Sequence, residues 1–310
     1  MNFLDAQTLA VADGAVLALR TAGPASPPRA IVHINHGMAE HSARYHRFAQ
    51  ALAGAGYAVI AHDHRGHGHT KAPDSSLGHF GPKGAIEAVF ADLSAVQNHA
   101  RATWPDVPLI SFGHSMGSIL AFAHAVHHPQ SANALALWNA GVETGALAAI
   151  YGGLLKVQRI FLGSDVPSGL AKKLTFDAWN KEFAPNRTAF DWLSRDEVEV
   201  DAYIADPLCG FPVTIGLWLD VLTAIYTAAD NGRLAHLPKS LPVHLLAGAK
   251  DPCTLHAKAV AHIETRMVQQ NMTDVTFSRL EDTRHESLNE INRDATMANF
   301  ITWLDARFKG

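Results

Sequence analysis

Cysteine, charge and membrane-length hydrophobic runs are all scarce in this sequence of 310 residues. Its two cysteines, Cys209 and Cys253, are too few for a disulfide framework, which favours a reducing cytoplasm. Charged residues make up 17% of the chain, the formal net charge is −4 and no basic cluster is present, which argues against a nucleic-acid partner. No uncharged apolar stretch reaches the roughly 20 residues of a membrane span. The N-terminus has no basic region followed by an apolar run, so we expect no signal peptide.

Apolar residues make up 48% of the chain, which is ample for a large core. Short apolar runs alternate with helix-like stretches, and this alternation predicts a mainly parallel sheet with helices on both faces. A weakly alternating segment at 7–22 predicts an antiparallel hairpin at the edge of the sheet. The predicted strands are 29–37, 57–61, 109–112, 134–138, 242–248 and 275–280, and the predicted helices are 41–54, 84–103, 118–128, 255–270 and 288–308.

The alternation stops after Gly141, and up to Ala235 the sequence has helix-like segments at 145–162, 171–183 and 214–228. We therefore predict a core domain of residues 1–141 and 236–310, interrupted by a helical cap at 142–235. The first cap helix carries an apolar stripe that includes Leu147, Ile150 and Leu154. This stripe either packs onto the core or forms the wall of an apolar substrate site that also touches a membrane or micelle surface.

The sequence GHSMG at 113–117 follows a predicted strand and leads directly into a helix. This Gly-x-Ser-x-Gly order is typical of a nucleophile elbow, a sharp turn that holds the serine hydroxyl out above the sheet. The alternative interpretation is an ordinary turn rich in glycine and serine. The position between a strand and a helix makes Ser115 the candidate nucleophile.

A serine nucleophile needs a histidine to take its proton and an acid to orient that histidine. Asp251 and His285 each follow a predicted strand, and their order after Ser115 is the one found in this type of fold. Alternatively, Asp251 is only a turn residue before a proline, and His285 is a surface histidine at a helix start. The other acids and histidines lie in the cap, or before or within predicted elements, and are less well placed: Asp206, Asp220, Asp274, His236, His244, His256 and His262.

The oxyanion that forms during acyl transfer needs backbone N–H donors aimed at it. One donor is expected from Met116, the residue after the candidate nucleophile. The other is expected from Met38, in the loop HGMA at 36–39, although this loop also reads as an ordinary strand-end turn. The residues expected to contact substrate are His36, Gly37, His114, Leu147, Ile150 and Leu154.

Six blocks of sequence together resemble the motifs of one known protein family. They are HGMAEHSARY at 36–45, DHRGHG at 63–68, GHSMG at 113–117, DPL at 206–208, GAKD at 248–251 and RHE at 284–286. Through these blocks the chain resembles the monoacylglycerol lipase and lysophospholipase branch of the α/β-hydrolase superfamily over nearly its whole length. It departs from the usual pattern at Ser118, where many members have glycine or alanine, and at Thr70, where serine is usual.

This resemblance implies an α/β-hydrolase fold with a helical cap over an apolar acyl tunnel. It implies a carboxylic ester hydrolase with the triad Ser115, Asp251 and His285, oxyanion donors at Met38 and Met116, and neither a metal nor a dissociable cofactor. The implied substrate is a single-chain lipid ester, either a monoacylglycerol or a lysophospholipid. A peptidase or amidase of the same fold and a non-catalytic binding module are the alternatives. A dehalogenase or epoxide hydrolase is disfavoured, because it would need aspartate in place of serine.

Overall fold

The computed structural model describes residues 3–82 and 84–309. Its strands are β1 (Gln7–Ala10), β2 (Val16–Ala22), β3 (Ile31–Asn35), β4 (Ala58–His62), β5 (Leu109–His114), β6 (Ala134–Trp138), β7 (Val243–Gly248) and β8 (Val275–Leu280). Within these residues the eight strands form one sheet in the order β1-β2-β4-β3-β5-β6-β7-β8. The β1–β2 and β2–β4 pairs are antiparallel and the other pairs are parallel. The predicted parallel sheet with a hairpin at one edge is confirmed.

Helices pack on both faces of this sheet, as predicted. They are α1 (His46–Gly54), α2 (Ile86–Thr103), α3 (Met116–His127), α4 (Ala146–Leu162), α5 (Gly169–Leu174), α6 (Phe176–Lys181), α7 (Glu197–Ala205), α8 (Ile215–Ala229), α9 (Asn231–Leu234), α10 (Lys258–Gln269) and α11 (Arg293–Asp305). Phe48 of α1 and Phe300 of α11 join the apolar cluster on one face, and Leu120 of α3 and Val260 of α10 join the cluster on the other.

The central strands are shielded from solvent, because every residue of β3 to β7 is buried. Strands of a parallel sheet that is covered on both faces read as continuous apolar runs, which is why the sequence locates them. Beneath β5 and β6, Phe112 packs against Trp138 with ring centroids 5.0 Å apart and against Phe48 at 5.1 Å. Burying each such ring stabilises the fold by about 1.5–3 kcal/mol, so the strand ends that carry the candidate residues rest on a rigid base.

The segment between β6 and β7 differs from the sequence prediction in detail. The helix predicted at 171–183 is two short helices, because the backbone turns at Thr175 (φ −117°, ψ −91°). Helix α7 was not predicted, since its residues EVEVDAYIA alternate as a strand would; the Asp196 side chain caps its first turn by accepting from the Val198 amide. Helix α8, which we assigned to the cap, packs against α3 of the core and buries Leu217 completely.

Among the described residues, no helix combines the length and the hydropathy that crossing a bilayer requires.

Candidate active site

The nucleophile elbow is a close crossing of backbones between β5 and α3. Ser115 has φ 54° and ψ −122°, a strained conformation that few residues other than glycine adopt. A Cβ atom on Gly113 would lie 2.3 Å from the Gly117 carbonyl oxygen, and one on Gly117 would lie 2.0 Å from that of Asn35. Both positions therefore require glycine, and the strain at Ser115 holds its hydroxyl at the carboxyl edge of the sheet.

Ser115, His285 and Asp251 meet at that edge, although they lie far apart in sequence. The Ser115 Oγ lies 2.9 Å from His285 Nε2, and His285 Nδ1 lies 3.0 Å from Asp251 Oδ2. Because a carboxylate can only accept, His285 donates from Nδ1 and leaves Nε2 to accept from the serine hydroxyl. His285 is 2% exposed and Asp251 is fully buried. This geometry is that of a nucleophile, a general base and an orienting acid.

Asp251 is held by more than its histidine. Burial raises the pKa of Asp251, but the partner His285 and hydrogen bonds from Asn139 and the Cys253 amide outweigh burial, so the pKa is lowered. Asn139 Nδ2 donates to Asp251 at 3.1 Å, and the Ser287 hydroxyl donates to Asn139 at 2.7 Å. Sequence reasoning missed Asn139, whose only signal was its position directly after β6.

The loop after β3 carries Met38, the first of the two predicted oxyanion donors. The Gly37 amide donates to Glu40 Oε1 at 2.5 Å, so it is already engaged. Met38 follows it, and Met116 is the first residue of α3, where helix N–H groups lack intrahelical acceptors. Both methionines line the cavity in front of Ser115. The two residues that carry the predicted donors thus border the same cavity as Ser115, and the positive end of the α3 dipole lies at Met116.

The DHRGHG block supports this loop from behind. Asp63 Oδ1 accepts from the Ser42 amide at 2.8 Å and from the Ser42 hydroxyl at 2.5 Å. The His64 amide donates to His36 Nε2 at 2.9 Å, and His36 Nδ1 donates to the Gly37 carbonyl oxygen at 2.7 Å. Both ring nitrogens of His36 are thus used within the protein, and His36 does not line the cavity. We correct its assignment: His36 orients the loop and does not contact substrate from this position.

A cavity of about 390 Å³ lies above Ser115 between the sheet edge and the segment after β6. Most of its wall is apolar or aromatic, and includes Ile119, Tyr151, Phe176, Trp179, Phe190, Trp192, Phe211, Val213, Trp218, Val221, Leu222 and Ile225. Gly37 and His114, two of the residues predicted to contact substrate, also line it. A mostly apolar cavity with a few polar groups at one end is typical of a binding site for a largely apolar small molecule.

Helix α4 contributes to this cavity through a different face from the one we predicted. Ala148 and Tyr151 line the cavity. Leu147, Ile150 and Leu154 point outward and are 83%, 61% and 43% exposed. We correct the assignment of these three to the cavity wall. Helix α4 is apolar on most of its circumference, so the period of the sequence does not determine which stripe turns inward.

Segment 191–196 is joined to the loop that carries His285. The Trp192 ring lies against His285 with centroids 4.8 Å apart. The Glu286 amide donates to the Leu193 carbonyl oxygen at 2.7 Å, and Arg284 donates to the Ser194 carbonyl oxygen at 3.0 Å. The cap therefore takes part in placing His285, and sequence reasoning missed Trp192 because nothing in the motif blocks marks it.

Two groups of three potential metal ligands occur among the described residues. One is Asp251, Cys253 and His285, which overlaps the triad. The other is His41, Asp206 and Cys209, in which His41 Nε2 already binds Asp206 at 2.8 Å across the junction of core and cap. Burial raises the pKa of the Cys209 thiol, which keeps it from the thiolate form that binds metals, and the positive charge of the nearby Arg44 would oppose a cation there.

The chain is similar in sequence to known hydrolases. A family model described as serine aminopeptidase, S33, matches residues 26–292. The monoglyceride lipase of Rattus norvegicus is 25% identical over 309 residues, which cover 98% of this chain and 92% of that protein. The monoacylglycerol lipase of Mycolicibacterium smegmatis is 32% identical over 185 residues, which cover 60% of this chain and 58% of that one.

Solved structures of hydrolases share the fold. A thermostable carboxyl esterase from Bacillus coagulans superposes with a TM-score of 0.87 at 24% identity, covering 97% of this chain and 98% of the esterase. A structure described as the open form of a lipase superposes with a TM-score of 0.85 at 25% identity and covers 99% of both chains. The sheet, the helices and the segment over the strand ends are thus those of α/β-hydrolases.

Proposed function

The chain belongs to the α/β-hydrolase family described as serine aminopeptidase, S33, and we propose that within this family it is a serine hydrolase of single-chain lipid esters. Monoacylglycerols and lysophospholipids are the substrate classes that we favour. The observation that carries this proposal is the contact of Ser115 with His285 at the floor of an apolar cavity of about 390 Å³. The similarity to monoglyceride lipases over most of the chain supports the same substrate chemistry.

In the proposed reaction, Ser115 Oγ attacks the ester carbonyl carbon while its proton passes to His285 Nε2. The Met38 and Met116 amides donate to the oxyanion that forms. The bond from carbon to the alcohol oxygen then breaks, and the alcohol leaves with the proton from His285. A water molecule, deprotonated in turn by His285, attacks the acyl-serine, and the fatty acid leaves with Ser115 restored. Throughout, the ionised Asp251 stabilises the positive charge on His285.

The cavity volume gives an approximate limit on the acyl chain. A dry cavity of about 150 Å³ binds benzene. By proportion, the cavity of about 390 Å³ holds roughly 16 carbon-sized groups. We therefore propose that medium and long acyl chains are accommodated with the reacting ester at Ser115 and the chain end between α4 and α8.

The exposed apolar stripe of α4 supports a second part of the proposal, a transient contact between this helix and a micelle or membrane surface. Ile160 and Phe161 extend the stripe beyond Leu147 and Ile150 and are 76% and 79% exposed. Contiguous apolar surface of this kind marks an interaction site.

The double substitution of Ile150 and Phe161 by serine should lower turnover of micellar substrate and leave turnover of a monomeric short-chain ester unchanged. Val198→Ser is the matched control, since Val198 is 74% exposed on α7, another helix.

An aminopeptidase or amidase is the second candidate, favoured by the description of the family. Its nucleophile and base would be the same, so the two candidates differ in the leaving group. The deciding experiment compares monoacylglycerols and lysophospholipids with aminoacyl amides of similar size. We expect turnover of the lipid esters to exceed that of the amides. Faster turnover of the amides would replace the lipid esterase by a peptidase, and activity retained in Ser115→Ala would remove the serine mechanism from both.

A further inference from the structure

A buried cluster of charged residues lies directly beside the triad and takes no part in the mechanism described above. It comprises Glu40, Arg44, His114 and Glu286, and we call it the charge cluster. All four side chains are at most 12% exposed. Buried charges are tolerated when they are paired and hydrogen-bonded. The negative charges of Glu40 and Glu286 therefore need positive partners within the cluster.

The two carboxylates of the cluster share one arginine. Arg44 donates through Nη1 and Nη2 to the two oxygens of Glu286 at 2.6 and 2.7 Å. It also donates to Glu40 Oε2 at 2.6 Å. Glu40 Oε1 accepts further hydrogen bonds from the Gly37 amide and from Tyr45. The two carboxylates thus share the single positive charge of Arg44. Whether the cluster keeps a net negative charge depends on the protonation of its fourth member, His114.

The two ring nitrogens of His114 determine its protonation. Nε2 lies 3.0 Å from the His285 carbonyl oxygen, which can only accept, so Nε2 carries a hydrogen. Nδ1 faces Glu40 Oε1 at 3.6 Å. A neutral ring with its hydrogen on Nε2 would point the lone pair of Nδ1 at a carboxylate. A hydrogen on both nitrogens removes this repulsion and gives the cluster two positive and two negative groups.

We propose that His114 is a positioning residue held as an imidazolium, and that its proton keeps the oxyanion loop and the His285 loop in their working geometry. His114 directly precedes Ser115. It reaches the His285 loop through Nε2, and it reaches the oxyanion loop through Glu40, which holds the Gly37 amide beside Met38. One protonated ring is thereby linked to the nucleophile elbow, the His285 loop and the oxyanion loop. This inference rests on the proposed hydrolytic function.

Charged groups from three other segments lie around a small pocket that His114 also lines. Glu40 lies in the loop after β3, Arg44 in the turn before α1, and Glu286 in the loop after β8. The uncharged side of the ring lies against His285, with centroids 5.0 Å apart. Burial alone lowers the pKa of His114, but the negative charges of Glu40 and Glu286 outweigh it, so the pKa is raised above its usual 6.5.

Loss of this proton at alkaline pH leaves an unbalanced negative charge next to the Gly37 amide and the nucleophile. We therefore expect an alkaline limb in the pH profile of kcat/KM that belongs to His114. His114→Gln keeps an N–H donor for the His285 carbonyl oxygen but carries no charge at any pH. This variant should lose the alkaline limb and have, at neutral pH, the activity that the wild type has above the limb, about tenfold lower.

The protonation is also measured without activity. In ¹⁵N–¹H spectra of histidine-labelled protein, the ring signals missing from His114→Gln belong to His114, and we expect the imidazolium pattern at pH 7.5. Glu40→Gln removes the facing charge and should make the same ring titrate at a pH about one to three units lower. His128→Gln, an exposed histidine at the far end of α3, is the control and should change neither readout.

A neutral His114 ring at pH 7.5, or an alkaline limb that is unchanged in both His114→Gln and Glu40→Gln, overturns the proposal. If His114→Gln does not fold, Glu40→Gln alone decides it through the shifted titration. Failure of the proposed ester hydrolysis would appear differently, because the spectra report the protonation of His114 whatever substrate the protein cleaves.

Discussion

Replacing Asp251 by asparagine removes one buried negative charge beside His285 and keeps the size of the side chain. Asp251 Oδ2 lies 3.0 Å from His285 Nδ1, and the charge centres are about 4 Å apart when the histidine is protonated. At an effective dielectric constant of about 20, this pair contributes about 4 kcal/mol to the protonated state. That state exists only once Ser115 has given up its proton, so the loss falls on kcat and amounts to roughly 10³-fold.

Asparagine cannot match the donors around this position in either orientation. Its amide nitrogen faces either His285 and Asn139, which donate to Oδ2, or the Cys253 amide, which donates to Oδ1. The first orientation also forces the proton of His285 onto Nε2 and blocks base catalysis, which lowers kcat by a further factor of about ten. The assay is kcat for a p-nitrophenyl ester, with circular dichroism and Tm as the check on folding.

Asp274→Asn is the matched control for this experiment. Asp274 pairs with Arg307 near the surface, where such pairs contribute about 0–1 kcal/mol to stability, so its kcat should equal that of the wild type. A loss of less than tenfold in folded Asp251→Asn would refute the assignment of Asp251 as the orienting acid. An equal loss in Asp274→Asn would show that the assay reports general damage.

The remaining predictions concern the cavity, the cap and pH. In a series of esters, kcat/KM should rise by up to about fourfold per methylene group, from roughly 0.8 kcal/mol for each one buried, and should level off near 16 carbons. Trp192→Ala should lower kcat by about two- to tenfold, the equivalent of the roughly 0.5–1.5 kcal/mol of one aromatic contact, while Trp192→Phe keeps the contact and the rate. Burial raises the pKa of Asp220 to about 7, so its cost to stability grows between pH 4 and pH 7. Asp220→Asn should therefore raise Tm at pH 8 by about 2–4 °C or more, with no gain at pH 4, as measured by thermal unfolding. A plateau far from 16 carbons, an equal loss in both tryptophan variants, or a gain in Tm independent of pH would contradict these three expectations in turn.

Most of the sheet could be predicted because its strands are buried on both faces. Each gives a short apolar run, and the run ending at Phe112 continues into an elbow whose glycines are enforced by backbone contacts at Gly113 and Gly117. The catalytic edge then follows from topology, since the carboxyl ends of parallel strands meet there. For that reason the sequence alone was enough to predict that Ser115, Asp251 and His285 lie close together.

The cap could not be predicted at the same level. Its helices differ in how much of their surface is apolar, and the inward stripe of α4 is set by contacts with α8 that no local pattern records. Leu147 and Ile150 were therefore placed on the cavity wall, whereas Ala148 and Tyr151 lie there. The approach of Trp192 to His285 is a contact of the same kind. The cytoplasmic location expected from the scarcity of cysteine stays a prediction.

The charge cluster illustrates a second limit of sequence reasoning. Glu40 and Glu286 stand inside the blocks that carry the family resemblance, so both were in view. Their meeting at Arg44 joins segments that are 242 residues apart. A pairing of this kind depends on the closed fold, and only the structure identifies it. The residues next to the triad in sequence thus gain their role from partners that are distant in sequence.

Covalent labelling of Ser115 tests the central claim most directly. The protein is treated with a fluorophosphonate, and the intact mass and the modified peptide are measured for the wild type and for Ser115→Ala. We predict one adduct per chain of the wild type, on the peptide that contains Ser115, with activity lost in proportion, and no adduct on the variant. An adduct on another residue, or equal labelling of Ser115→Ala, would contradict the assignment of Ser115 as the nucleophile.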